Sequence, residues 1–264
     1  MAAVLLMLLL FGTGCLNQTE EVTLNPDEAG EAVDIDTLLS PQGTWETVLY
    51  TAAVNIDGRT AVYNMIPEGD SAKLSGSLGN PFGETSEWYT VSGHGNIQYL
   101  IRHTDGNYSL WKFSCFAEAD YPYRDVLEKV YNIRAAEDIR GIVVKPANMD
   151  NTAAGMELQK EIGTITVTDE EEIAAVYNVI SSLICYGENN WERIDLGDYS
   201  EEGMLNQVRF GRYLTLVSAD GMEFDQLKYT GVSGTFYEYL GIAYSTLTAE
   251  QKKDIDSILK IETE

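Results

Sequence analysis

The sequence predicts an α+β fold of antiparallel β-hairpins with three to five helices, which lie mostly in the C-terminal half. Asp-Gly pairs at 57–58, 105–106 and 220–221 each separate two alternating segments, and such pairs supply the positive φ angles of two-residue type I′ turns. Helical periodicity and capping boxes occur only after residue 122. Hairpins followed by helices are typical of the α+β class.

The N-terminal segment predicts an export signal. Residues 2–11 (AAVLLMLLLF) are apolar, too short for a permanent membrane span, and followed by Gly-Thr-Gly-Cys, so residues 1–14 are interpreted as a signal peptide. The cysteine resembles the lipobox cysteine of bacterial lipoproteins, which implies lipidation of Cys15 and a place on the outer face of the cell membrane. The match departs from that pattern in its lack of preceding basic residues and in Gly12, where Leu is usual. Secretion without a lipid and a buried N-terminal helix are the alternatives.

The next two segments differ in composition. Residues 15–42 are acidic and turn-prone, with Pro26, Gly30 and Pro41, and predict a tether. Residues 43–121 predict a β-rich domain with two hairpins and a loop that includes one short strand. The predicted hairpin strands are 45–56 with 59–66 and 96–104 with 107–116, and the short strand is 72–78.

Residues 122–264 predict an α+β domain. Its best-supported helix begins with a capping box at Thr168 and Glu171 and ends near Gly187, and its last helix begins with a box at Thr248 and Gln251. The other predicted elements are helices 123–133 and 153–161, strands 142–145 and 163–168, and a third hairpin formed by 212–219 and 222–229.

The charge excludes a nucleic-acid surface. The chain has 17 Lys and Arg against 42 Asp and Glu, a formal charge of −25, whereas binding to backbone phosphates requires clustered basic residues. An acidic surface attracts cations or basic partners instead. The lipobox resemblance implies the membrane as one partner, through the N-terminal lipid, and the other predicted partner is a protein at the cell surface.

No motif predicts catalysis or a cofactor. A His-Glu-x-x-His motif, a Gly-rich phosphate loop and a Gly-x-Ser-x-Gly elbow are all missing from the sequence. His94 has no acidic residue close in sequence to orient it, and the acid closest to His103, Asp105, belongs to the predicted Asp-Gly turn. Ser109 and Lys112 match Ser-x-x-Lys, but their segment alternates as a strand, and a strand would place the two side chains on opposite faces. A hydrolase with a carboxylate pair is an alternative that the acid count allows and no spacing supports.

Clustered acids and cysteines give two weaker hypotheses. Asp195, Asp198 and Glu201 could bind calcium, but the segment lacks the EF-hand pattern, which favours a solvated acidic loop. Cys115 and Cys185 could pair in an extracytoplasmic protein. Their apolar surroundings favour two buried thiols, with Cys185 at the end of a helical face.

An aromatic segment predicts a binding surface. Tyr186, Trp191 and Arg193 lie in a short run of Gly, Asn and acidic residues, and an exposed Trp beside Arg is typical of an anchor for a ligand or partner. The alternative is that Trp191 belongs to the core.

Several short strings in the C-terminal half share a resemblance. They are VKP at 144–146, MDNT at 149–152, IGT at 162–164, SSLICYG at 181–187 and DLGDY at 195–199. Together with residues 99–124, this half of the chain resembles extracytoplasmic segments of clostridial-type Gram-positive proteins. These are small lipoproteins and the outer domains of antirepressor membrane peptidases of the beta-lactam-sensor type. The resemblance implies an accessory, sensory or interaction role; it does not imply the peptidase, whose zinc motif and membrane spans are missing. We therefore expect a non-catalytic, lipid-anchored interaction or sensing domain, or alternatively a solute-binding lipoprotein.

Overall fold

The chain divides into two compact units, Met1–Glu118 and Ala119–Glu264, each with its own sheet. The computed structural model describes residues 19–20, 33–34, 51–56, 58–65, 77–79, 88–91, 96–104, 107–148, 152–197, 199–238 and 241–261. The predicted signal peptide, Cys15 and His94 lie outside these residues. No helix within them is both long enough and apolar enough to span a membrane.

The first unit contains an eight-stranded sheet in the order β1-β3-β4-β8-β7-β6-β5-β2. Its neighbours pair antiparallel, except that β1 and β3 are parallel. Two of the strands, β1 and β2, lie within the segment predicted to be a tether. The strands are β1 Thr19–Glu20, β2 Val33–Asp34, β3 Thr51–Ile56, β4 Arg59–Met65, β5 Ser77–Gly79, β6 Trp88–Val91, β7 Tyr99–Thr104 and β8 Asn107–Phe116.

The first two predicted hairpins are confirmed. Ile56 pairs with Arg59 and Thr104 pairs with Asn107, so each hairpin has a two-residue Asp-Gly loop. Gly58 has a φ of 81°, the left-handed conformation that its turn requires. The Ser-x-x-Lys match lies within β8, whose extended backbone excludes the helical geometry that such catalytic pairs use.

Aromatic side chains form the core of this unit. Tyr63, Trp111, Phe113 and Phe116 are buried, and Phe113 packs edge-on against both Tyr63 and Phe116. The Tyr63 hydroxyl donates a hydrogen bond to the Ile97 carbonyl at 2.7 Å, which satisfies its one polar group. The central hairpins therefore bury the large side chains that their alternation predicted.

The second unit contains a six-stranded antiparallel sheet, in the order β11-β10-β13-β14-β15-β16, and a two-stranded ladder of β9 and β12. The strands are β9 Tyr121–Pro122, β10 Ile139–Pro146, β11 Ile165–Val167, β12 Ile184–Cys185, β13 Gly211–Ser218, β14 Glu223–Thr230, β15 Thr235–Glu238 and β16 Ile242–Ala243. The helices are α1 Tyr123–Lys129, α2 Ala153–Ile162, α3 Glu170–Ser182, α4 Glu201–Phe210 and α5 Ala249–Ile258. The α+β class is thus confirmed.

The helices pack around α3 and along the sheet. Helix α3 contacts α1, α5 and β10, while α4 contacts α2, β10 and β13. Ile173, Val176 and Ile180, whose spacing places them on one apolar stripe of α3, are all buried. Burial of this stripe, rather than intrinsic helix propensity, is the main stabilising term for such a helix.

Both ends of α3 differ from the prediction. The N-cap is Asp169 rather than Thr168, because the Asp169 carboxylate accepts hydrogen bonds from the backbone N–H groups of Glu171 and Glu172 at 3.0 Å. The helix ends at Ser182 rather than near Gly187, because residues 184–185 leave it to pair with β9. Cys185 therefore lies in a strand, and its assignment to a helical face is wrong.

Two other helical predictions need correction. Helix α1 ends at Lys129, four residues early, because Asn132 adopts a φ of 55° and the Ile133 N–H caps the carbonyl of Leu127 at 2.7 Å. Helix α4 was not predicted. Its N-cap, Ser200, accepts a hydrogen bond from the Gly203 N–H at 3.0 Å.

The third hairpin is confirmed, but its turn has another form. Ser218 N–H donates to the Met222 carbonyl at 2.9 Å, so the loop has three residues, and Asp220 does not adopt a positive φ while Gly221 does. This is the three-residue hairpin with a left-handed glycine rather than a type I′ turn. The Asp220 carboxylate accepts hydrogen bonds from the Ser218 hydroxyl and the Met222 N–H, which stabilises this form. An irregularity between Leu214 and Leu216 then shifts the strand pairing by one residue. Beyond it, Leu214 pairs with Leu227, which is the register that a two-residue Asp-Gly loop predicts.

Candidate functional site

The predicted aromatic surface is built on a loop that follows β12. Gly187 and Asn189 adopt positive φ values of 83° and 62°, and the Asn190 side-chain amide donates hydrogen bonds to three carbonyls. These carbonyls belong to Tyr186, Gly187 and Glu188, at 2.9, 3.0 and 3.1 Å. The backbone N–H of Asn190 also donates to the Gly241 carbonyl at 2.9 Å. One asparagine therefore holds the loop closed and ties it to the rest of the unit.

A single 3-10 turn, Trp191–Arg193, presents the tryptophan at the surface. Trp191 is 51% exposed, so the alternative that it is a core residue is wrong. Its indole lies against Gly241, where an added Cβ would come within 2.6 Å of the ring. Gly241 also has a φ of 71°. A side chain at this position would therefore displace Trp191 as well as strain the backbone.

Arg193 and Tyr186 are in direct contact. The Arg193 guanidinium carbon lies 4.1 Å from the centre of the Tyr186 ring, a cation–π geometry. Beneath them, Tyr186 and Leu196 pack on a small buried cluster of Ile194, Tyr237 and Ala243. We call the exposed group of Tyr186, Trp191 and Arg193 the aromatic loop surface.

Sequence reasoning missed further aromatic residues in this unit. Tyr199 is 76% exposed, the most exposed large hydrophobic side chain in the described part of the chain. On the sheet, the register places Tyr213, Lys228 and Tyr237 in one row across β13, β14 and β15. The Lys228 ammonium lies 5.0 Å and 5.9 Å from the centres of the two flanking rings. The pairing of Tyr213 with Lys228 follows from the predicted third hairpin. No strand was predicted at β15, so the position of Tyr237 beside Lys228 was not predicted.

Burial perturbs the groups in this row. Burial lowers the pKa of Lys228, and the nearby Glu238 carboxylate partly opposes this shift. Burial also raises the pKa of Tyr237, with smaller contributions from Tyr213 and Tyr199. Burial thus favours the neutral form of both Lys228 and Tyr237.

The calcium candidates occupy different local positions. The Asp195 carboxylate accepts a hydrogen bond from the Gly197 N–H at 2.8 Å, and its carbonyl accepts one from the Thr230 hydroxyl at 3.0 Å. Glu201 lies in the first turn of α4, and Asp198 is outside the described residues. Within the described ranges, no group of three or more His, Cys, Asp or Glu side chains could hold a metal ion.

Two carboxylates of the second unit are deeply buried, and each has a tyrosine partner. Glu238 accepts a hydrogen bond from the Tyr244 hydroxyl at 2.5 Å, and Asp256 accepts one from the Tyr229 hydroxyl at 2.7 Å. The Lys252 ammonium also contacts Asp256 at 2.5 Å. These contacts give both carboxylates a structural role in the core.

The two described cysteines are buried thiols and do not form a disulfide. Burial raises the pKa of the Cys185 thiol to about 11, despite hydrogen bonds with the Tyr121 side chain and the Gly187 N–H that act in the other direction. A thiol held neutral in this way is a poor nucleophile and a poor metal ligand.

Comparisons with protein-family models, with curated proteins and with solved structures found no match to this chain.

Proposed function

We propose that this protein is a non-catalytic, lipid-anchored extracytoplasmic interaction or sensing domain that binds its partner through the aromatic loop surface. The observation that carries the proposal is the half-exposed Trp191 on a turn fixed by Asn190, beside the stacked pair of Arg193 and Tyr186. Anchoring at Cys15 is inferred from the N-terminal sequence alone, and the extracytoplasmic role from the sequence resemblance.

The residue types support binding rather than chemistry. Trp, Tyr and Arg are enriched among the side chains that contribute most to protein–protein affinity. An ordered turn loses little conformational entropy on association, because its side chains are already held in place. A partner that covers Trp191 and stacks on Arg193 would therefore gain contact area at low cost. The chain's charge of −25 favours a partner with basic groups around that contact.

A matched pair of variants tests the surface. The full chain in lipid nanodiscs would be screened by thermal shift against amino acids, sugars, basic peptides, cell-wall fragments and calcium with and without chelator. For any basic peptide that stabilises the protein, Trp191→Ala should weaken binding at least about tenfold, as expected for a central aromatic anchor. Met156→Ala is the control, since Met156 in α2 is equally exposed at 48%. Equal effects of the two substitutions would contradict the assignment of the surface.

A second experiment tests the anchor. The wild-type chain should incorporate labelled fatty acid and be shortened to begin at Cys15, whereas Cys15→Ala should incorporate no label and stay at full precursor length, because both steps require the thiol. A wild-type chain that incorporates no label and keeps its full length would contradict a lipoprotein signal.

A further inference from the structure

A cavity of about 420 Å³ lies in the second unit, where the C-terminal ends of α2 and α4 and the residues after α5 meet β10, β11 and β13. Its volume is within the range of sites that bind small molecules. None of its lining residues belongs to the aromatic loop surface. Any ligand of the cavity is therefore recognised independently of Trp191.

One part of the wall is apolar. Val144 and Leu259 are buried, while Leu158, Ile162 and Ile165 are half-buried and keep apolar surface in contact with solvent. A ligand with an aliphatic or aromatic group would cover this surface and gain the free energy of removing it from water.

The polar part of the wall is basic. Arg209, Arg212 and Lys260 line the cavity together with a single acid, Glu161. Acids outnumber bases 42 to 17 in the whole chain, so three cations against one carboxylate reverse the overall balance. The local charge therefore favours an anion.

Arg212 retains hydrogen-bonding capacity on this wall. Its Nε donates to the Leu259 carbonyl at 3.3 Å, and its Nη1 donates to the carbonyls of Arg209 and Gly211 at 2.9 and 2.8 Å. Its Nη2 donates to the Lys260 carbonyl at 3.3 Å. The Val208 carbonyl, at 3.5 Å, shares the Nη1 hydrogens with the carbonyls of Arg209 and Gly211. A guanidinium has five N–H groups, and the acceptors in the described residues account for the Nε hydrogen, both Nη1 hydrogens and one Nη2 hydrogen. One Nη2 hydrogen remains for a ligand.

The other two cations are accessible. The Lys260 ammonium lies 3.8 Å from the Glu172 carboxylate in an exposed ion pair, a kind of contact that contributes little and is readily rearranged. An Arg209 Nη1 donates to the Asn206 side-chain carbonyl at 3.1 Å, and the residue is exposed. Helix C-termini carry partial negative charge, which opposes anion binding, but Arg212 already donates to carbonyls at the ends of α4 and α5.

We propose that this cavity binds a small organic carboxylate that carries an apolar group. The carboxylate lies among Arg209, Arg212 and Lys260, and the apolar group packs against Leu158, Ile162 and Ile165. A short fatty acid and a peptide C-terminus with a leucine-like side chain share this chemistry, and the test separates them.

Calorimetric titration of the full chain in nanodiscs, with empty nanodiscs as the blank, measures binding of hexanoate and of N-acetyl-leucinate. Hexylammonium and 1-hexanol have the same number of carbon atoms as hexanoate and lack the negative charge. We expect saturable binding of at least one carboxylate, at least about tenfold tighter than that of either uncharged or cationic analogue. The tighter carboxylate identifies the source as an aliphatic acid or a peptide end.

Variants of exposed lining residues locate the site without removing the buried Arg212. The double variant Arg209→Gln with Lys260→Gln should weaken carboxylate binding by about tenfold, and Glu161→Gln should strengthen it. Lys253→Gln removes an exposed positive charge on α5 outside the lining, so it is the control and should change nothing. Leu158→Trp fills the apolar side and should abolish binding by a second route.

Three results would overturn the proposal. They are equal affinity for hexanoate and hexylammonium, equal effects of the double variant and Lys253→Gln, and no saturable binding of either carboxylate up to about 10 mM, which is weaker than functional small-molecule sites. Trp191→Ala should leave carboxylate binding unchanged, so failure of one proposed site does not decide the other.

Discussion

Two buried polar side chains, one in each unit, differ in whether the protein satisfies their hydrogen-bonding groups. Arg212 in the second unit is 3% exposed, and its guanidinium donates to backbone carbonyls around the ends of α4 and α5. Gln98 in the first unit is 0% exposed, and among the described residues neither its side-chain nitrogen nor its side-chain oxygen has a hydrogen-bond partner. A charge is thus better accommodated in this protein than a neutral amide.

The difference comes from what surrounds each side chain. Arg212 follows α4 by two residues, so unsatisfied carbonyls of a helix end are close to its guanidinium. Gln98 precedes β7, where its backbone N–H and carbonyl are satisfied by Asn96 and Phe113, but its fully buried side chain has no hydrogen-bond partner in the described part of the chain. A buried polar group is stabilising or costly according to its partners, and its polarity alone does not decide.

The largest effect is expected from breaking the arginine contacts. Arg212→Met should lower the free energy of unfolding by about 3–5 kcal/mol, because it leaves several buried carbonyls without donors. Urea denaturation followed by circular dichroism measures it. Arg209→Met, an exposed arginine at the same helix end, is the control and should cost less than about 1 kcal/mol. Similar losses for both variants would show that the carbonyl contacts of Arg212 do not stabilise the fold.

Cys185 is intermediate between Arg212 and Gln98, because its buried thiol has weak hydrogen bonds. Its contribution to the free energy of unfolding depends on pH. Its pKa is raised to about 11 in the folded protein from a usual value of 9.0. Below pH 9 the thiol is protonated in both states and stability is unaffected. Between pH 9 and 11 only the unfolded chain loses this proton, so the free energy of unfolding should fall by about 2–3 kcal/mol.

Comparison of wild type with Cys185→Ala at pH 8.5 and pH 11 isolates this contribution, because the variant lacks the titrating thiol. Buried tyrosines such as Tyr123 and Tyr244, whose pKa values are also raised by burial, add to the loss above pH 10 in both proteins. Equal pH dependence in the two proteins would mean that the thiol ionises normally in the fold.

Replacing Gln98 by an apolar residue should raise the free energy of unfolding, whereas the preceding substitution and pH change lower it. Gln98→Met keeps the length of the side chain and removes two unsatisfied buried atoms, so we expect a gain of about 1–2 kcal/mol in the first unit. Amide hydrogen exchange of β7 and β8 reports this unit selectively. Gln98→Glu buries a carboxylate at the same place and should destabilise the unit. Slower exchange in Gln98→Glu than in Gln98→Met would refute this explanation.

The smallest expected effect on stability comes from the exposed charged side chains, which water solvates without a protein partner. At a net charge of −25, the acids repel one another, so added salt or a shift toward pH 5 should raise the melting temperature. The expected gain is about 1 kcal/mol or less. A clear fall in melting temperature over the same range would indicate that many acids are paired in the folded state.

Local signals in the residue order were enough for part of the architecture. The Asp-Gly pairs predicted all three hairpins, since a tight turn needs glycine in a left-handed conformation whatever the rest of the chain does. The box of Thr248 and Gln251 predicted the start of α5, where both hydrogen bonds are present. The segment with Tyr186, Trp191 and Arg193 was identified from its composition, because exposed aromatic residues among turn residues are unusual.

Long-range packing decided the rest. The sheet pairing of Cys185 ends α3 early, and the convergence of helix ends around Arg212 shapes the basic cavity. Gly241 supports Trp191 from fifty residues away, and β15 completes the row of Tyr213, Lys228 and Tyr237. Turns and caps depend on neighbours within four residues, so the order of residues is sufficient to predict them. Cavities and surfaces depend on which distant segments share one core, and only the folded chain brings those segments together.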